Sequence, residues 1–239
     1  MGPLAETLAP HFRVIAPLQR HSSSVRLTVA RHVVDLEEVL SEHSPSAPVD
    51  LVGHSWGAML ALAFAAAHPR RVRSLALIGC GTFDIASRTA LETTRRSRMD
   101  EEMRRQLGSL PSRFADPDAR LWAAGELLLP AYSHDLLTTR LDLEWCDARG
   151  YEETWNDMLS LQASGTYPAA FSTIDAPVLM LHGADDPHPG RLIETCLRQH
   201  IPRLEYHELE WCGHYPWLER RAREPFLTAL RDWLGRAAR

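Results

Sequence analysis

Apolar and polar positions fall into two textures along this chain. In the first 81 residues, and again from residue 174, short apolar runs alternate with longer stretches of helical periodicity. Residues 12–17, with Phe12, Val14, Ile15 and Ala16, read as a short strand. Residues 28–43 place Val29, Val33, Leu36, Val39 and Leu40 at the three-and-four spacing of an amphipathic helix, which Pro45 and Pro48 stop. A buried strand follows at 49–53, then a small, apolar helix at 57–67 ended by His68 and Pro69, then a buried strand at 73–79. After residue 174 come a buried strand at 177–183, a helix at 191–200, a strand at 204–210 and a closing helix at 222–234.

Between 82 and 173 the texture changes. Charged, helix-forming stretches are punctuated by Pro111, Pro117, Pro130 and Pro168, and no strand pattern stands out. Apolar strands separated by helices imply an α/β fold, with a mostly parallel sheet covered on both faces. The middle stretch is then a helical insertion over the sheet's edge. The expected organisation is a core in two parts, 1–81 and 174–239, with a cap or lid at 82–173. No internal repeat or low-complexity segment is visible.

Composition narrows the chemistry. A length of 239 residues suits one domain with an insertion and suffices for a full α/β core. All 26 basic residues are arginine. Without lysine there is no Schiff-base, pyridoxal-phosphate, Walker A or kinase lysine. The net charge of −5 offers no basic field, so no nucleic-acid partner is expected. Arg95, Arg96, Arg98, Arg104 and Arg105 alternate with Asp100, Glu101 and Glu102 and read as a solvated helix face. Cys80, Cys146, Cys196 and Cys212 are scattered without a C-x-x-C pair and read as free thiols of a reducing compartment. No signal-peptide pattern is present, and the longest apolar run, 57–67, is too short for a bilayer. A cytoplasmic location without a membrane partner is the expectation.

The chemistry-bearing residues lie just past strand ends. Gly53-His54-Ser55-Trp56-Gly57 fits G-x-S-x-G between a strand and a helix. Such a turn strains the serine backbone, exposes its hydroxyl and aims a helix N-terminus at it. The flanking glycines are expected to remove side chains that would clash. A serine nucleophile needs a base, and the base needs an orienting acid, in the chain order Ser, Asp or Glu, His. The loop after Gly183 carries Asp185 and Asp186; the loop after the last strand carries His214. Ligand sites of open α/β sheets fall at these carboxyl ends. His182, Asp185, Asp186 and His188 match no metal-ligand spacing, so no metal ligand is assigned. His54 reads as a packing or turn residue. Tyr132, Trp145, Tyr151 and Trp155 could line a substrate pocket or pack a cap.

With G-H-S-W-G at 53–57, H-G-A-D-D-P at 182–187 and C-G-H-Y-P at 212–216, the chain resembles the α/β-hydrolase superfamily from about Leu4 to its C-terminus. The resemblance implies Ser55 as nucleophile, His214 as general base and Asp186, three residues past Gly183, as the acid, with Asp185 a solvated neighbour. It implies the Trp56 backbone N–H as an oxyanion donor. The implied activity is a serine hydrolase that cleaves an ester or amide of a small molecule through an acyl-enzyme, with no metal or organic cofactor. The elbow and the G-H-Y-P-x-L-E-R stretch at 213–220 are similar to proline iminopeptidase-like and esterase members. Iminopeptidases hold a substrate's amino terminus with lid carboxylates, a part open to Glu144, Glu152 and Glu153, which otherwise read as surface glutamates.

Two departures stand beside this. The superfamily carries three more strands upstream of the segment matching 12–17, and an H-G-type loop that supplies a second oxyanion N–H. This chain starts at what resembles the tail of that loop, so an N-terminally truncated core is expected. Residues 18–24 also lack the acid and glycines of the corresponding run. These departures support a rival reading, a non-catalytic or impaired α/β-hydrolase-like binding module. The oligomeric state is not legible.

Overall fold

The computed structural model describes residues 2–138 and 146–237. In chain order its elements are α1 (Gly2–Leu8), α2 (Val29–His43), β1 (Val49–His54), α3 (Trp56–Ala67), β2 (Val72–Ile78), α4 (Ile85–Ser97), α5 (Glu101–Arg113), α6 (Pro117–Leu128), α7 (Ala148–Ala163), β3 (Val178–Gly183), α8 (Gly190–Arg198), β4 (Leu204–Leu209) and α9 (Arg223–Ala237). The four strands form one sheet in the order β1-β2-β3-β4, and every neighbouring pair is parallel.

The period-two alternation of the strands divides the core. Leu75 and Leu77 of β2 and Val178 and Met180 of β3 pack with α2, α3 and α8, through Val29, Leu62, Phe64 and Ile193. The alternate residues Ala76, Ile78, Leu179 and Leu181 pack with α1 and α9, through Leu4, Leu8, Phe226 and Leu230. Each large side chain so buried contributes roughly 1.5–3 kcal/mol. This two-sided burial explains the continuous apolar runs Leu75–Ile78 in β2 and Val178–Leu181 in β3. Every residue of α3 from Ala58 to Ala65 is buried, so the helix is apolar all round rather than amphipathic.

Among the described residues, four α-helices lie between β2 and β3. Each starts on an aspartate whose carboxylate accepts first-turn N–H groups: Asp84, Asp100, Asp116 and Asp147. Thr28 does the same for α2.

The segment 12–17 is not a strand. It runs irregularly over the surface, with Val14 and Ile15 each 37% exposed. Pro10 precedes it and Pro17 ends it, and both lack the N–H a ladder needs. The following residues are held elsewhere, by carboxylates of the 147–157 region. Asp147 accepts from the Ser22 N–H (2.5 Å) and hydroxyl (2.8 Å), Glu153 from the Leu27 N–H (2.8 Å) and Asp157 from the Val29 N–H (2.8 Å). The first strand is therefore β1, an edge strand that is half-buried rather than fully buried.

Among the described residues no helix is long and apolar enough to cross a membrane. All four cysteines are free thiols.

Candidate active site

The carboxyl ends of β1, β2, β3 and β4 lead into the loops that build the site. At the end of β1, Ser55 sits at φ 54°, ψ −117°, a conformation that costs a non-glycine residue about 1–3 kcal/mol. The Ser55 N–H donates to the Ile78 carbonyl (2.9 Å), which ties the turn to the end of β2. A Cβ at position 53 would lie 2.3 Å from the Gly57 carbonyl oxygen, so the turn closes only on glycine. Gly57 differs: a Cβ there meets nothing within 4 Å. Only one of the two flanking glycines is therefore needed for clearance. Trp56 is the first residue of α3, so its N–H has no intrahelical acceptor. The Trp56 ring packs against the core and meets His32 edge-on.

Asp186 and His214 meet across 28 residues of sequence. The His214 Nδ1–H donates to Asp186 Oδ2 at 2.7 Å, which fixes the tautomer and leaves Nε2 as the basic nitrogen. Both side chains are buried. The loops that carry them are joined by the Asp185 N–H to the Cys212 carbonyl (2.8 Å). Among the described residues, no hydrogen bond joins the Ser55 hydroxyl to His214, a separation common in unliganded sites. Asp185 points away, half-exposed, and pairs with His134 at 3.0 Å.

Three further histidines crowd this pair. His188 donates its backbone N–H and its Nδ1–H to Asp186 Oδ1, both at 2.9 Å. Its ring stacks on His214 at 4.6 Å and 18°. The His182 Nε2–H donates to the His188 carbonyl at 2.9 Å and lies 3.5 Å from Asp186 Oδ2. His54 donates its Nε2–H to the His214 carbonyl at 2.8 Å, and its ring packs between His214 (4.6 Å) and Trp217 (4.7 Å). His54 is therefore a packing residue, and its partner is the loop that carries His214.

Burial and charge act against each other here. Burial pushes the Asp186 carboxyl up, but His214, His188 and His182 outweigh it and hold it well below its ordinary value. Burial lowers His214 below an ordinary imidazole, although Asp186 opposes the shift. Burial likewise lowers His182, and lowers His54 further with the help of the neighbouring His214 charge. Both shifts favour a carboxylate beside a neutral imidazole.

The 82–173 stretch contributes directly. The His214 N–H donates to the Tyr132 carbonyl (2.7 Å), and the Tyr132 ring stands edge-on to His214 at 5.6 Å. Arg98, read as part of a solvated face, reaches the carbonyls of Ala131 (3.1 Å) and Asp185 (2.6 Å) and links the 82–173 stretch to the loop that carries Asp186. Trp155 packs on the core, and Tyr151 is exposed. Glu152 is exposed, while Glu153 is occupied by Leu27 and Arg149; Glu144 and Trp145 lie outside the described residues.

Sequence reasoning missed three participants. Gly79, at φ +51°, gives the Asp186–His214 pair its room. Glu219, fully buried, accepts from the N–H groups of Gly213, His134 and Asp135 and so fastens the loop that carries His214. His188 had a signal, its spacing of two from Asp186, but the stacking on His214 depends on the fold.

Comparison with known proteins points one way. The profile described as "Alpha/beta hydrolase family" matches residues 1–225. A proline iminopeptidase of Lactobacillus helveticus (strain DPC 4571) is 26% identical over 209 residues, covering 82% of this chain and 69% of the relative. A 2-hydroxymuconate semialdehyde hydrolase of Pseudomonas putida is 27% identical over 201 residues, covering 79% and 63%. Among solved structures, a thermophilic esterase from Thermogutta terrifontis shares the fold at a TM-score of 0.62 and 21% identity, with 97% of this chain and 83% of that one aligned.

Proposed function

The chain belongs to the alpha/beta hydrolase family, and on that premise we propose that it cleaves an ester or amide bond of a small molecule through an acyl-enzyme on Ser55. The observation that carries this reading is the 2.7 Å hydrogen bond from the His214 Nδ1–H to Asp186, one strand end away from the strained Ser55. In the proposed cycle His214 Nε2 takes the Ser55 proton as the hydroxyl attacks the carbonyl carbon. Asp186 holds the tautomer and stabilises the imidazolium. The tetrahedral oxyanion is held by the Trp56 N–H at the start of α3. His214 then protonates the leaving group, and water, deprotonated by the same imidazole, releases the acid.

Residues 82–173 act as the cap in this reading. Its support is Tyr132, which brings a carbonyl and a ring of that stretch against His214. Of the glutamates open to holding a substrate ammonium, Glu153 already accepts from Leu27 and Arg149, so a peptide substrate would call on Glu152 or Glu144.

The test is labelling by a fluorophosphonate in the presence of a chelator, read by intact mass and peptide mapping. A stoichiometric adduct on Ser55 that disappears in His214→Ala is the expected result. No adduct from the folded chain overturns the assignment and favours a binding module. Prolyl-anilide and short acyl esters then separate peptidase from esterase.

A further inference from the structure

We propose that Asp186, His188 and His214 form a chelating site for a divalent transition-metal ion of the zinc type, whose occupancy silences the base. The second half rests on the role of His214 proposed above; the first half stands on geometry alone.

One donor atom from each of the three side chains lies within 4.8 Å of the others. The two imidazoles are nearly parallel, and each turns its Nδ1 towards a different oxygen of the same carboxylate. Two neutral imidazoles and a carboxylate are a donor set suited to zinc, and three protein ligands leave a fourth position for water. Tetrahedral ligation needs donors about 3.3 Å apart and an ion lying in the plane of each ring, so the two stacked rings must tilt out of their 18° alignment to chelate. His182 supports the arrangement from behind, its Nε2–H fixing the carbonyl of His188. Spacing along the sequence could not show the site, because His214 arrives from the far loop.

There is also a way in. A surface cleft of about 200 Å³ is lined by Asp186, His188, Arg191 and Glu208. Arg191, the cation at its mouth, is paired with Glu194 and Glu208, so its charge is offset.

The consequence for His214 does not depend on which nitrogen binds. Coordination at Nε2 consumes the lone pair that would take the Ser55 proton. Coordination at Nδ1 displaces Asp186 and moves the imidazole proton to Nε2, which then cannot accept another. Each neutral imidazole keeps its one proton.

The full chain, freed of metal, is titrated with zinc by equilibrium dialysis and with cobalt(II) by absorption. One ion per chain, a tetrahedral cobalt spectrum without thiolate charge-transfer bands, and binding at least ~10-fold weaker in both His188→Gln and Asp186→Asn are expected. Binding unchanged in those variants, or thiolate bands, overturns the site. Fluorophosphonate labelling of Ser55 is then compared with zinc and with chelator, each variant against its own chelated rate. Zinc is expected to slow the wild type at least ~10-fold, reversibly, and to leave the ratio near one in His188→Gln. Zinc bound through His188 with labelling unaffected overturns the silencing. Absence of labelling under every condition overturns the hydrolase reading and the silencing with it, while the metal site is decided by the binding data.

Discussion

Gly79 and His214 are in contact range although 135 positions apart: a Cβ on Gly79 would lie 3.0 Å from His214 Nδ1 and 3.2 Å from Asp186 Oδ2. The end of β2 thus passes directly beneath the hydrogen bond between Asp186 and His214. Gly79 is also at φ +51°, where a side chain is strained whatever the space. Gly79→Ala therefore displaces the pair by several tenths of an ångström or forces the strand end to shift. A displacement approaching 1 Å costs about 100-fold in rate. The expected outcome is a folded protein whose Ser55 labelling in chelator falls by roughly 10- to 100-fold. An unchanged rate would show that the base is not oriented from this side.

Glu219 sets the other side of the base loop. Its carboxylate is fully buried and accepts three backbone N–H groups at 2.7–2.9 Å, from Gly213, His134 and Asp135. Glu219→Ala strands all three donors and should cost about 2–4 kcal/mol. Glu219→Gln keeps one acceptor oxygen and should cost less. Urea unfolding reads both, and midpoints equal to wild type would refute the clamp.

What was legible in the sequence follows from where the information lies. Strands β2 and β3 were readable because parallel strands buried on both faces must be apolar throughout. The Ser55 turn was readable because its geometry is set within five residues. The contacts of Gly79, Glu219 and His188 were not, since each depends on a partner in another loop. Segment 12–17 was misread for the same reason: its apolar residues suit a strand, but a strand exists only beside a partner. The donors of the residues that follow it go instead to Asp147, Glu153 and Asp157.

Ser55 and Asp186 separate the chemistry from the fold. Ser55→Ala removes the proposed nucleophile but keeps the Cβ and so the backbone strain, so the fluorophosphonate adduct vanishes while stability holds. Asp186→Asn keeps the shape but favours the wrong His214 tautomer. Turnover of a short acyl ester should then fall by about 10³–10⁴-fold. A fall of less than tenfold would mean that His214 is oriented by His54 and Tyr132 alone.

The surface course of segment 12–17 makes a prediction that a strand there would contradict. Ile15 is 37% exposed, whereas Leu77 in β2 is fully buried against α3. Ile15→Lys places a charge where water already reaches, and its stability change should stay within about 0.5 kcal/mol. Leu77→Ala empties a packed volume and should cost about 2–5 kcal/mol. Parallel urea unfolding of the two variants decides the matter. If Ile15→Lys loses as much as Leu77→Ala, the segment is packed against the free edge of β1 after all. If it loses nothing, β1 is the edge of the sheet, and the strap is held by α7 and its Asp147 cap.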